Sequence, residues 1–157
     1  MKKISFFVII VILGVFQATI MNSFSIFGIR PDLLLISLVI ATLFFESKWA
    51  LVFSLFAGFI KDVLGVHAFG INTLIFPLGA YLIIRLSKKI SMDNNLMPTL
   101  FILIIAIANN IIFKLIFTYL QNLIIPLGVF TRIMFLEPVY TALIFYFIFK
   151  AAKPALY

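Results

Sequence analysis

Residues 49–65 read WALVFSLFAGFIKDVLG, an apolar run that carries a lysine and an aspartate side by side near its end. Ser54, Gly58, Lys61, Asp62 and Gly65 fall at i, i+4, i+7, i+8 and i+11, so on a helix they form one stripe. Val52, Phe53, Phe56, Ile60 and Val63 fill the remaining surface. A stripe that is small at one end and charged at the other faces protein rather than acyl chains, and small residues let a second helix approach closely.

The whole chain supports a lipid setting. Of its 157 residues, 65% are hydrophobic and 11% charged. Soluble domains carry about 45–50% and about 25% respectively. Five further apolar segments, roughly 4–21, 31–45, 70–86, 96–120 and 133–149, join 49–65 to make six. None alternates apolar and polar residues as a closed barrel does, so the sequence predicts an all-α polytopic integral membrane protein. About six transmembrane helices form one bundle, a single transmembrane domain over residues 1–157. The second and third segments fall short of the roughly 20 residues that a span needs and call for interfacial flanks or longer neighbours. The start, MKKISFFVIIVILGVF, has a lysine pair and an apolar core but no small-x-small cleavage site after it, which reads as an uncleaved first span.

The net charge of +7 does not point to nucleic acid, because the basic residues lie in short gaps between apolar runs. With the N-terminus in the cytoplasm, Lys2, Lys3, Lys48, Arg85, Lys88, Lys89, Lys150 and Lys153 fall inside, against Arg30 and Arg132 outside. This excess places both termini in the cytoplasm, with Arg85, Lys88 and Lys89 as inner-loop anchors and Trp49 at the inner interface. Pro31 and Asp32 open the second helix, where a missing N–H costs little and a carboxylate meets the positive helix end. Pro77 and Pro138 lie deeper, as candidate kinks.

On this topology the strongly polar residues concentrate in the outer half. Asp62 lies about 20 Å above Trp49 at about 1.5 Å per residue. Gln17 is similarly high, Asn72 and Thr73 sit at the outer start of the fourth helix, and Glu137 lies one turn into the sixth. In the fifth, Ala106, Asn110, Lys114, Thr118 and Gln121 form a second stripe. A charge in the bilayer centre costs about 2.5–3.5 kcal/mol on insertion scales. Lys61, Asp62, Lys114 and Glu137 are therefore expected to share a hydrated or paired cluster. Such a cluster serves as an outward-facing pocket, as a dock for a partner helix, or as a network that only fixes helix register.

Support for catalysis is thin. The chain has no cysteine and one histidine, His67 in a short outer loop. It has no metal-spaced cluster and no Gly-rich phosphate loop. No cofactor is expected.

RPDLLLISLVIATLF (30–44) followed by FAGFIKDVLGVHAFGINTLIFPLGAYLIIRL (56–86) resembles the bacterial rod shape-determining MreD family. The resemblance rests on Pro31–Asp32, Gly58, Asp62 and Gly70–Ile71–Asn72, followed by an apolar run into a basic inner loop; Lys61 departs from the uncharged residue expected there. It implies a non-enzymatic scaffold in the cytoplasmic membrane that binds MreC and works with MreB, RodA and a class B penicillin-binding transpeptidase in lateral peptidoglycan synthesis. It also implies a six-helix design similar to the substrate-binding S components of energy-coupling-factor vitamin transporters. Under the scaffold reading, Gly58, Asp62, Gly65, Gly70 and Asn72 serve helix packing and partner geometry, with Lys61, Lys114 and Glu137 as supporting charges. Under the alternative, a vitamin-binding S component, Phe69, Phe113 and Tyr140 would flank the same cavity.

Overall fold

The computed structural model describes residues 3–19, 29–65, 70–88, 96–121 and 126–156. They form six helices: α1 (Lys3–Thr19), α2 (Leu33–Phe44), α3 (Ser47–Leu64), α4 (Ile71–Ser87), α5 (Leu96–Gln121) and α6 (Leu127–Leu156). Helix direction alternates along the chain, so α2, α4 and α6 begin at the end of the bundle where α1, α3 and α5 finish.

The six helices match the six apolar segments, with two differences in length. α2 is shorter than expected, with 12 residues, or about 18 Å at about 1.5 Å per residue. α6 is longer, starting six residues before the apolar segment and running on through Lys150 to Leu156. Its Met134–Ala151 stretch, with mean hydropathy 1.4, is the one helical stretch among the described residues long and apolar enough to cross a membrane alone.

Helix α2 is short because it is the core. It packs against every other helix, and Leu33 to Val39, Ala41 and Thr42 are all buried. A helix surrounded by helices is apolar all round, which explains why its sequence shows no polar face. Phe53 of α3 meets Phe6, Phe7 and Phe45 with ring centroids 4.8 Å apart, edge to face, an arrangement favoured by the ring quadrupole. The other five helices each turn large apolar side chains outward, Val8, Leu55, Leu74, Ile104 and Leu143 among them.

Three contacts of glycine or small-residue type set helix spacing. A Cβ at Gly58 would lie 2.4 Å from the Asn72 carbonyl oxygen and 2.9 Å from Thr73 Cα, so α3 and the first turn of α4 touch backbone to backbone. A Cβ at Gly14 would lie 2.4 Å from an Ile60 methyl, and one at Gly79 3.2 Å from Ile105. Gly58 is the most restrictive of the three because its neighbour is main chain. Gly65, expected on the stripe, is instead the C-cap residue that ends α3, its N–H donating to the Lys61 carbonyl at 2.9 Å.

Gly58→Val is expected to separate α3 from α4 and lower the unfolding free energy by about 1–3 kcal/mol or more. Gly128→Val, where an added Cβ meets nothing within 4 Å, is expected to change it by less than about 0.5 kcal/mol. Thermal denaturation of the two purified variants in the same detergent checks the contrast.

Candidate functional site

The end of the bundle where α2, α4 and α6 begin gathers the polar side chains. They do not form the single cluster expected from the sequence. Lys61 and Asp62 are neighbours in sequence, so their side chains leave α3 about 100° apart, and each joins a different group.

Asp62 acts on α4. Helix α4 starts after Gly70, which adopts a left-handed conformation with φ 99° and has no side chain to cap the helix. Asp62 supplies the cap from α3. Its Oδ2 accepts from the backbone N–H of Gly70 at 3.1 Å and of Thr73 at 2.8 Å, and from the Thr73 hydroxyl at 2.6 Å. Its Oδ1 accepts from the Asn72 backbone N–H at 3.1 Å and from Asn72 Nδ2 at 2.8 Å. The first amides of a helix have no partner inside the helix, and an anion there is also favoured by the helix dipole. Gly58, one turn below Asp62, is what lets the first turn of α4 come close enough.

Asp32 acts on α2 and is the site residue that the cluster expectation omitted. It is the N-cap residue of α2, its Oδ1 accepting from the Leu35 N–H at 3.1 Å. Lys61 Nζ forms an ion pair with Asp32 Oδ2, and the same ammonium lies 5.1 Å from the Phe76 ring centroid, a cation–π distance. From α1, Gln17 Nε2 donates to Asp32 Oδ1 at 3.5 Å while Gln17 Oε1 accepts from the Leu34 N–H at 3.2 Å. From α6, Thr141 Oγ1 accepts from the Asp32 N–H at 3.0 Å. Four helices, α1, α2, α3 and α6, thus meet on one residue that is 4% exposed, α1, α2 and α3 at its carboxylate and α6 at its backbone N–H.

Glu137 of α6 lies within electrostatic reach of both Lys61 and Asp32 and hydrogen-bonds Asn110 of α5. Lys61 and Glu137 thus interact across the bundle, whereas Asp62 is drawn off into the α4 cap. The Lys114 and Phe113 side chains, and residues Lys89, His67 and Phe69, lie outside what the structure describes. At the opposite end, Trp49 opens the first turn of α3 with the Lys3 ammonium 4.3 Å from its ring centroid. Arg85 donates to the Tyr81 hydroxyl at 3.1 Å, and Lys88 follows α4.

Two features escaped the sequence reading. The Asp32–Lys61 pair joins residues 29 apart in sequence, and Asp32 was read only as a helix opener. Asn109, adjacent to the expected stripe residue Asn110, is the buried one, 5% exposed with no partner for its Oδ1. Counting apolar neighbours at i−4 and i−8 (Ile105 and Phe101, both buried) was the available signal.

The described residues thus form an all-helical bundle with large apolar side chains on its exterior, a central helix largely enclosed by the others and capping carboxylates at one end. Among the described residues, no group of three or more His, Cys, Asp and Glu could hold a metal. A family model described as rod shape-determining protein MreD matches residues 1–153, and the chain belongs to that family of bacterial membrane proteins that determine rod shape. No curated protein sequence and no solved structure matches it.

Lys61→Met leaves Asp32 buried without its cation and is expected to cost about 3–5 kcal/mol. Adding Asp32→Asn removes the stranded charge while keeping a capping oxygen, so the double variant is expected to be more stable than Lys61→Met alone. Asp62→Ala deprives five donors of their acceptor and is expected to cost about 3 kcal/mol or more. Reversible unfolding of each variant in mixed micelles checks both orders.

Proposed function

We propose that this protein is a non-enzymatic scaffold of the rod-shape machinery that crosses the cytoplasmic membrane six times, residues 1–157 forming one membrane domain with both termini in the cytoplasm. It binds MreC directly and, through it, works with MreB, RodA and a class B penicillin-binding transpeptidase in lateral peptidoglycan synthesis. Membership of the rod shape-determining family carries this reading. The geometry supports it in a specific way. Most of the polar residues at this end fix helix starts and helix neighbours, as a scaffold needs, and both oxygens of Asp62 in particular are taken up by Gly70, Asn72 and Thr73 of the α4 start. Of the exposed basic residues described, Lys3, Lys48, Arg85, Lys88 and Lys150 belong to the end opposite the capping carboxylates, against Arg30 at the carboxylate end, an excess in keeping with a cytoplasmic placement of the basic end.

Depleting the protein from a rod-shaped host is expected to turn rods into spheres, and wild-type protein to restore them while retaining MreC on purification. Asp62→Leu is expected to fail in both respects, while Asp93→Leu, a change in the basic inner loop, succeeds in both. Rods that persist on depletion, or equal MreC retention by the two variants, would contradict the reading. Light microscopy and affinity co-purification are the two readouts.

A further inference from the structure

The α5–α6 hairpin outreaches the rest of the bundle at the carboxylate end, and helix register shows by how much. Gly79 of α4 packs on Ile105 of α5. Eight residues lead from Gly79 back to the start of α4 at Ile71, and sixteen lead from Ile105 on to Gln121. At about 1.5 Å per residue, α5 continues about 12 Å past the start of α4. Thr141 of α6 sits beside Asp32 at the start of α2, and fourteen residues separate it from Leu127, so α6 reaches about 21 Å beyond α2.

Burial agrees with this arithmetic. No described side chain is buried from 111 to 121 or from 126 to 137. Yet the tip is apolar: Leu115 is 65% exposed, Tyr119 87% and Val129 50%. Lipid does not account for all of it. α5, with 26 residues, is about 39 Å long, and α6 from Lys150 at the basic end to Leu127 about 35 Å, against a hydrocarbon core of about 30 Å. The tip therefore leaves the hydrocarbon, and apolar surface beyond it marks a protein contact. The sequence of this stretch contributes Lys114 and Arg132 and, before Glu137, no acid, so the complementary surface is apolar with acidic flanks.

We propose that the α5–α6 tip, centred on Tyr119 and Val129, is the surface on which an amphipathic, acid-flanked segment of a membrane-anchored partner lies just outside the bilayer. This rests on the scaffold reading above, with MreC as that partner. It locates the contact on the hairpin, while the α3 stripe and the two capping carboxylates hold the bundle that carries the hairpin.

The chain has no cysteine, so single-cysteine variants report cleanly. Tyr119→Cys, Val129→Cys and, as a control on the outward face of α4, Leu82→Cys are treated in spheroplasts with a membrane-impermeant maleimide, with and without co-expressed MreC. Labelling at 119 and 129 is expected without MreC and lost with it, while residue 82 stays unlabelled in both. Absence of labelling at 119 and 129 without MreC would place the tip in lipid or against a second copy and overturn the proposal. Equal labelling with and without MreC would overturn it too. Co-purification from the same cells separates the two levels: MreC retained while the tip stays labelled removes the tip surface only, whereas MreC not retained removes the scaffold reading and the tip proposal together.

Discussion

A helix that begins inside a membrane protein brings backbone N–H groups with no partner of their own into a region poor in water, where each unsatisfied group costs several kcal/mol. The structure meets this constraint at α2 and at α4 with a carboxylate. Asp32 caps its own helix at the Leu35 amide, with Gln17 of α1 taking the amide before it. Asp62 caps a helix to which it does not belong, because Gly70 holds the N-cap position without a side chain. In each case the charge that satisfies the helix start also fastens another helix to it.

From these two fastenings the arrangement of the bundle follows. Asp62 needs α4 close to α3, and Gly58 supplies the room. Asp32 needs a counter-charge, and Lys61 provides it one residue before Asp62 on the same helix. Helix α3 therefore presents a base to α2 and an acid to α4 from a single turn. A lysine beside an aspartate in an apolar run looks wasteful in one dimension, yet the two charges serve different neighbours. Thr141 adds α6 to the Asp32 group, and Glu137 with Asn110 links α6 to α5 nearby. The end with the carboxylates is stiffened, and the longer α5–α6 hairpin stands on it.

Much of the fold was legible because apolar run length is a one-dimensional signal. Six runs gave six helices, Pro31–Asp32 marked the start of α2, and the breaks near Gly65 and Gly70 marked the end of α3 and the start of α4. That Gln17, Lys61, Asn72 and Glu137 lie at one end of the bundle was legible too, since rise per residue sets the level of each along its helix. Their pairing was not. Lys61 and Asp62 share a level and a stripe, but a stripe is wide enough for two neighbours, and which acid takes which donor depends on how helices are arranged around α3. The central position of α2 was also hidden, because a helix buried on all sides has no amphipathic period to read. The reach of α6 was missed because its first turns, LGVFTR at 127–132, are less apolar than the run that follows.

The remote cap on α4 is where the account is most exposed, and amide exchange reads it without recourse to any partner. In lipid nanodiscs, the N–H groups of Asn72 and Thr73 should exchange as slowly as those of Phe76 and Ala80 in the middle of α4, and Asp62→Asn should selectively speed the first pair. Rapid exchange at 72 and 73 in the wild-type protein, unchanged by the substitution, would mean that the Asp62 carboxylate does not hold the start of α4.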